Sequence, residues 1–213
     1  MIQPVNIMSL LLILSVLFAV GSSGIIPIIK VVALQGIIVT VLPLLLHQDL
    51  TTGSLIFGAV LMLIRGFIIP ILLYYSITHV IHKNELDPVC GYNASIFAGL
   101  LIVIASIYIS SKFSFPIIQQ TPLILPAAIS VLLGGIFFLI ARRKAVTMVV
   151  GYLMLENGIY LIGASLSKRA HQVVEFGILL DVLIGVMIMG IVLFNIQRAF
   201  DDTDTALLRK LKD

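Results

Sequence analysis

Charge is what this sequence has least of. Only 11% of its 213 residues are Asp, Glu, Lys or Arg, where an average soluble domain carries about 25%. That is too little polar surface to coat a water-facing globule, which excludes a soluble enzyme and a nucleic-acid-binding domain. Cysteine occurs once, at Cys90, so the chain holds neither a disulfide framework nor an iron–sulfur cluster of its own. The four histidines, His47, His79, His82 and His171, fall in loops or at span ends, which leaves no midmembrane pair for a haem. His79 and His82 share a helical face, but nothing supplies the further ligands that a metal needs. Tryptophan is absent, so Tyr74, Tyr75, Tyr92 and Tyr108 must supply much of any interfacial aromatic belt. No phosphate-cradling glycine loop and no nucleophile elbow occurs.

Apolar length fills the space that charge leaves. Sixty per cent of residues are hydrophobic and the mean hydropathy is +1.19. Seven stretches, at 5–21, 25–46, 54–77, 94–111, 123–141, 146–166 and 173–196, are each long enough to cross about 30 Å of hydrocarbon at 1.5 Å per residue. The predicted fold is an all-α, polytopic helical membrane protein. Gly21-Ser22-Ser23-Gly24 and His47–Gly53 break the pattern with loop chemistry, and so do 79–93, 112–122, the basic turn Arg142-Arg143-Lys144, and 167–172. Residues 1–9 carry no Lys or Arg, which argues against a cleaved leader.

Basic residues set the expected orientation. Seven spans put nine on one side (Lys30, Lys83, Arg142, Arg143, Lys144, Arg198, Arg209, Lys210 and Lys212) and three on the other (Lys112, Lys168 and Arg169). The positive-inside rule then places the N-terminus outside and the C-terminus in the cytoplasm. In the tail, residues 198–213, Asp201, Asp202 and Asp204 precede Arg209, Lys210 and Lys212. That order suits the dipole of a short helix as well as it suits a solvated tail.

Three charges fall well inside spans: Arg65, Glu156 and Asp181. Each costs about 2.5–3.5 kcal/mol at a helix centre, so each should face protein or water. Counted from the span ends, Arg65 lies about 16 Å and Asp181 about 12 Å below the outer side, and Glu156 about 15 Å above the inner one. All three therefore approach the midplane. A carboxylate in such a site can hold a proton and release it when a neighbouring charge moves, which is the basis of a proton or ion path. The same charges can serve only to pair helices or dock a partner. Asn157 and Tyr160 are polar neighbours, Tyr160 sharing a face with Glu156 at i, i+4. Lys30 and Glu175 sit near span ends, where snorkelling suffices. Gly151, Gly158, Gly163, Gly177 and Gly185 permit close helix packing, and Pro27, Pro43, Pro70 and Pro126 mark kinks or helix ends.

The last three spans carry a basic turn, Arg142-Arg143-Lys144, then Gly151-Tyr152-Leu153-Met154-Leu155-Glu156-Asn157-Gly158, then Asp181-Val182-Leu183-Ile184-Gly185. This pattern resembles the three-helix K subunit of respiratory complex I and the C subunit of multisubunit sodium/proton antiporters. Asp181 matches the second carboxylate of that pattern. Glu156 departs from it, because the first carboxylate would align with Leu153, one turn away on a similar face. With four helices in front, an intramembrane base in the third span, and Gly151-Tyr152-x-x-x-Glu156-Asn157-Gly158, the whole chain resembles hydrogenase-4 component E.

The resemblance implies a non-catalytic membrane subunit of a [NiFe] hydrogenase or formate-hydrogenlyase-type complex in the cytoplasmic membrane. Residues 1–141 would form helices one to five. Residues 142–197 would complete the K-subunit-like unit with helix 123–141. The implied partners are antiporter-like and quinone-site-like membrane subunits and a hydrophilic hydrogenase arm. The Ni–Fe centre and iron–sulfur clusters would sit on those partners, with no cofactor in this chain. Arg65 stands where the resembled subunit has a lysine. Arginine is far harder to deprotonate, so a charge-partner role is implied for it. A stand-alone ion antiporter and a purely structural subunit are the alternatives, although no internal repeat relates the first and last three spans.

Overall fold

The structure is a computed structural model, and it describes residues 2–22, 24–46, 52–80, 92–113, 121–141 and 145–166, with Gly185. Every regular element among them is helical. In chain order these are α1 (Ile2–Gly21), α2 (Ile25–Leu46), α3 (Thr52–Leu63), a π turn (Ile64–Ile68), α4 (Ile69–Val80), α5 (Tyr92–Ser111), α6 (Ile124–Ala141) and α7 (Ala145–Leu166). Among the described residues, five stretches are long and apolar enough to cross a membrane: Pro4–Gly21, Ile25–Leu46, Gly58–Tyr75, Asn93–Ser111 and Ile124–Ala141. Thr147–Gly163 is a shorter sixth. The expected seventh span, 173–196, lies outside the described residues, as do Glu175, Asp181, the Arg142–Lys144 turn, Cys90 and the tail.

Observed helix limits differ from the expected ones by at most three residues, the scale of fraying at helix ends. The third span is the exception in kind. It is one rod, α3–π–α4, and its turn widens in the middle. There the Ile69 amide donates to the Ile64 carbonyl five residues back. Pro70 supplies the reason: it has no amide to donate, and in a regular helix its ring would crowd the Gly66 carbonyl four residues earlier. Pro43 also lies inside α2, while three other prolines sit where they do no harm. Pro4, Pro27 and Pro126 are each the third residue of α1, α2 and α6, within the turn whose amides have no intrahelical acceptor.

α6 is the central helix, packed against α1, α5 and α7. Of its apolar span 61% is buried, against 22% for α5 at the edge. α2 packs on one side against α7 and α1 and on another against the rod 52–80. With lipid outside, helices gain little from the hydrophobic effect, and close backbone approach holds them together instead. α6 and α7 run antiparallel along a glycine seam. A Cβ on Gly135 would strike the Leu155 amide nitrogen and lie 2.6 Å from the Gly151 carbonyl oxygen. One on Gly151 would lie 2.7 Å from Cβ of Phe138, and one on Gly158 would lie 2.6 Å from the Leu132 nitrogen.

Three buried hydroxyls show the same device, turning back onto their own helices. Ser9 donates to the Val5 carbonyl, Thr40 to that of Gly36, and Ser130 to that of Pro126, each at 2.8 Å. No hydroxyl of these three is left to face hydrocarbon. Tyr74 and Tyr75, at the end of the apolar stretch Gly58–Tyr75, and Tyr108, in the last turn of α5, are exposed, as an aromatic belt requires. The Lys112 ammonium lies 5.2 Å above the Tyr108 ring.

Candidate functional site

Among the described residues, two charges lie inside this apolar bundle. Arg65 is 5% exposed and Glu156 2%. Nη2 of Arg65 donates to Oε1 of Glu156 at 2.5 Å, an ion pair spanning 91 positions of sequence. The pair joins the rod to α7. Placing Glu156 follows from α7 itself: Gly151 and Gly158, on either side of it, lock the helix against α6, and Tyr160 follows one turn on. The guanidinium carbon of Arg65 lies 4.5 Å from the centre of the Tyr160 ring, within cation–π range.

Placing Arg65 needs two further features. Arg65 belongs to the π turn, whose extra residue changes the direction in which side chains leave the helix. The rod packs on α2 at Gly36, where a Cβ would lie 2.8 Å from the Arg65 carbonyl oxygen and 3.1 Å from its Cβ. The missing side chain thus lets the rod come close to α2, which itself packs against α7. A Gly36→Val substitution should push the rod away from α2 and draw Arg65 off Glu156. We expect a lower thermal midpoint for the detergent-solubilised chain carrying it, while Val41→Leu, at a half-buried position of α2, changes little. Fluorescence-detected size exclusion after heating would check both.

A second polar contact lies beside Gly36. Gln35, wholly buried, donates from Nε2 to Oγ of Ser15 at 2.7 Å. Ser15 in turn donates to the Leu12 carbonyl at 2.6 Å. That bond uses the only proton of the hydroxyl and fixes the amide orientation, binding α1 to α2.

Of the residues singled out from sequence, the structure brings Arg65, Glu156 and Tyr160 together. Asn157 is buried beside them at 4% exposure. Lys30 is exposed near the start of α2, apart from the buried pair. Asp181 and Glu175 lie outside the described residues. Sequence reasoning misses Gly36, Gln35 and Ser15, although Gln35 is a polar residue in the middle of a largely apolar span.

Comparison with known proteins gives a consistent direction. No family model matches the chain, and no solved structure does. The chain is 29% identical over 194 residues to an uncharacterised protein of Mycobacterium tuberculosis, covering 87% of this chain and 86% of that protein. It is 24% identical over 158 residues to hydrogenase-4 component E of Escherichia coli K12, covering 74% of this chain and 73% of that protein. The corresponding protein of Shigella flexneri is similar to the same extent. The matches to hydrogenase-4 component E support a relation to that subunit, carried by a chain of apolar, membrane-length helices.

Proposed function

We propose that this chain is an integral membrane subunit of a membrane-bound hydrogenase complex, and that its buried charges belong to a proton or ion path driven by redox chemistry on other subunits. The observation that carries the reading is the buried Arg65–Glu156 pair, found in a chain similar to hydrogenase-4 component E over most of its length. A charge pair deep in an apolar bundle is expensive to keep, and intramembrane ionisable residues commonly mark ion paths.

In this reading the chain has seven spans, with the N-terminus outside and the C-terminus in the cytoplasm. The last three spans form a unit like the complex I K subunit, and Asp181 joins Glu156 as a second carboxylate on the path. Arg65 biases the charge of Glu156 without carrying protons itself. The redox centres belong to a hydrophilic arm, and antiporter-like and quinone-site-like subunits flank this chain in the cytoplasmic membrane.

A mild-detergent pull-down of the tagged chain from its native membranes tests the assembly. Recovery of antiporter-like subunits with a [NiFe] arm supports it. Recovery of the chain alone defeats it in favour of a stand-alone transporter. Glu156→Gln and Asp181→Asn test the path. Both should leave the complex assembled, because the amide oxygen that Glu156→Gln introduces can still accept from Arg65. Both should reduce ion movement per hydrogen turned over. Wild-type coupling in both fully assembled variants would leave the pair as a structural clamp.

A further inference from the structure

Arg65 meets two partners that respond differently when charge changes. Its Nη2 donates to Glu156, and its guanidinium lies over the face of Tyr160. The attraction to Glu156 is largely that of opposite charges and falls when the carboxylate is neutralised. The attraction to the ring arises from its quadrupole, which no proton on Glu156 alters. Tyr160 is itself buried, at 6% exposure, in helix α7, so water does not screen the ring. The other ionisable side chain of α7, Tyr152, precedes Glu156 by one turn and is half-buried. The ionisable side chain of α2, Lys30, is exposed.

We infer that Tyr160 is a positioning residue: its ring face holds the Arg65 guanidinium beside α7 whether Glu156 is charged or neutral. The role belongs to the ring and not to the hydroxyl. Its consequence for ion movement rests on the reading given under Proposed function. A guanidinium that stays in place while Glu156 is neutral keeps favouring the return of the carboxylate to its charged form. Without the ring, Arg65 would lose a hold that does not depend on the charge of Glu156, and the next cycle would begin from a less firmly placed cation.

The holding itself can be tested on the full chain in lipid nanodiscs, with arginine labelled in 15N. Protons above an aromatic face resonate upfield. The Arg65 Nε–H signal, assigned by its loss in Arg65→Lys, should lie upfield of the other arginines. It should stay there in Glu156→Gln, which imitates the neutral acid, and in Tyr160→Phe, and it should lose the shift in Tyr160→Leu. Loss of the shift in Glu156→Gln overturns the inference, and so does a Tyr160→Phe chain that behaves like Tyr160→Leu.

If Tyr160→Leu does not fold, phenylalanines of increasing fluorine content at position 160 in the Glu156→Gln chain keep the question open to decision. Fluorine weakens the quadrupole and barely changes the shape. The upfield population should fall stepwise with fluorination, whereas a ring that only fills space would leave it constant. These spectra need no partner subunit. A failed pull-down therefore leaves the positioning role standing, and a failed ring-current test leaves the complex standing.

Discussion

Glu156→Leu should destabilise the folded chain more than Arg65→Met, and the double variant should recover most of what either loses. The ordering follows from an asymmetry between the two charges. A carboxylate left alone in an apolar interior can take up a proton and become neutral, whereas a guanidinium stays charged. Glu156→Leu takes the carboxylate acceptor away from Arg65, 5% exposed, and the neutral Tyr160 face beside it cannot replace a countercharge. Breaking a buried pair on one side costs about 3–5 kcal/mol, while exchanging both partners for apolar residues of similar volume is often neutral or stabilising. In lipid the expectation holds more strongly, because no water can reach a stranded charge. Thermal denaturation of the solubilised chain, run as a double-mutant cycle, measures it. A double variant whose loss equals the sum of the two single losses would mean that the two side chains act independently and the charges do not interact. A recovered double variant that no longer supports coupled ion movement would separate the role of the pair in folding from its role in transport.

The pair also shows what the sequence disclosed and what it withheld. Counting rise per residue from the span ends brings Arg65 and Glu156 to similar depths, because helix geometry converts position into height with little error. Direction is harder to obtain. The short connection between 146–166 and 173–196 points Glu156 towards Asp181, its nearest intramembrane carboxylate in sequence. Among the described residues, the structure places Arg65, 91 positions away, against Glu156. Reaching it depends on α2, which packs against both the rod and α7, and on Gly36, whose importance is invisible until Arg65 is seen to rest on it. Pro70 is legible as an irregularity, but not as a π turn. A proline-disturbed helix can kink or widen, and the packing of its neighbours decides which. The helices themselves are plain from apolar length, since a membrane span must satisfy its own backbone whatever it packs against.

The glycine seam leads to the second large effect. Gly158→Val should disrupt the α6–α7 pairing, and with it the placement of Glu156. The obstacle is backbone: a Cβ on Gly158 would lie 2.6 Å from the Leu132 nitrogen and 2.7 Å from its Cα, and neither atom can turn aside as a side chain can. Overpacking a close interior contact typically costs about 1–3 kcal/mol and occasionally more, and a branched side chain belongs at the upper end because the helices must part. α7 is held between α6 and α2, so pressure from Leu132 displaces it towards the helix on which Arg65 rests. Ile159, the adjacent residue, is 43% exposed and provides the control. Ile159→Val removes a methylene from the outward face and should leave the melting temperature within a degree or two of wild type. Gly158→Val should lower both the folded yield and the melting temperature, and Gly158→Ala should fall between them. If Gly158→Val melted as the wild type does, the two backbones would not approach as closely as the structure has them. Glu156 would then need some other support to stay against Arg65.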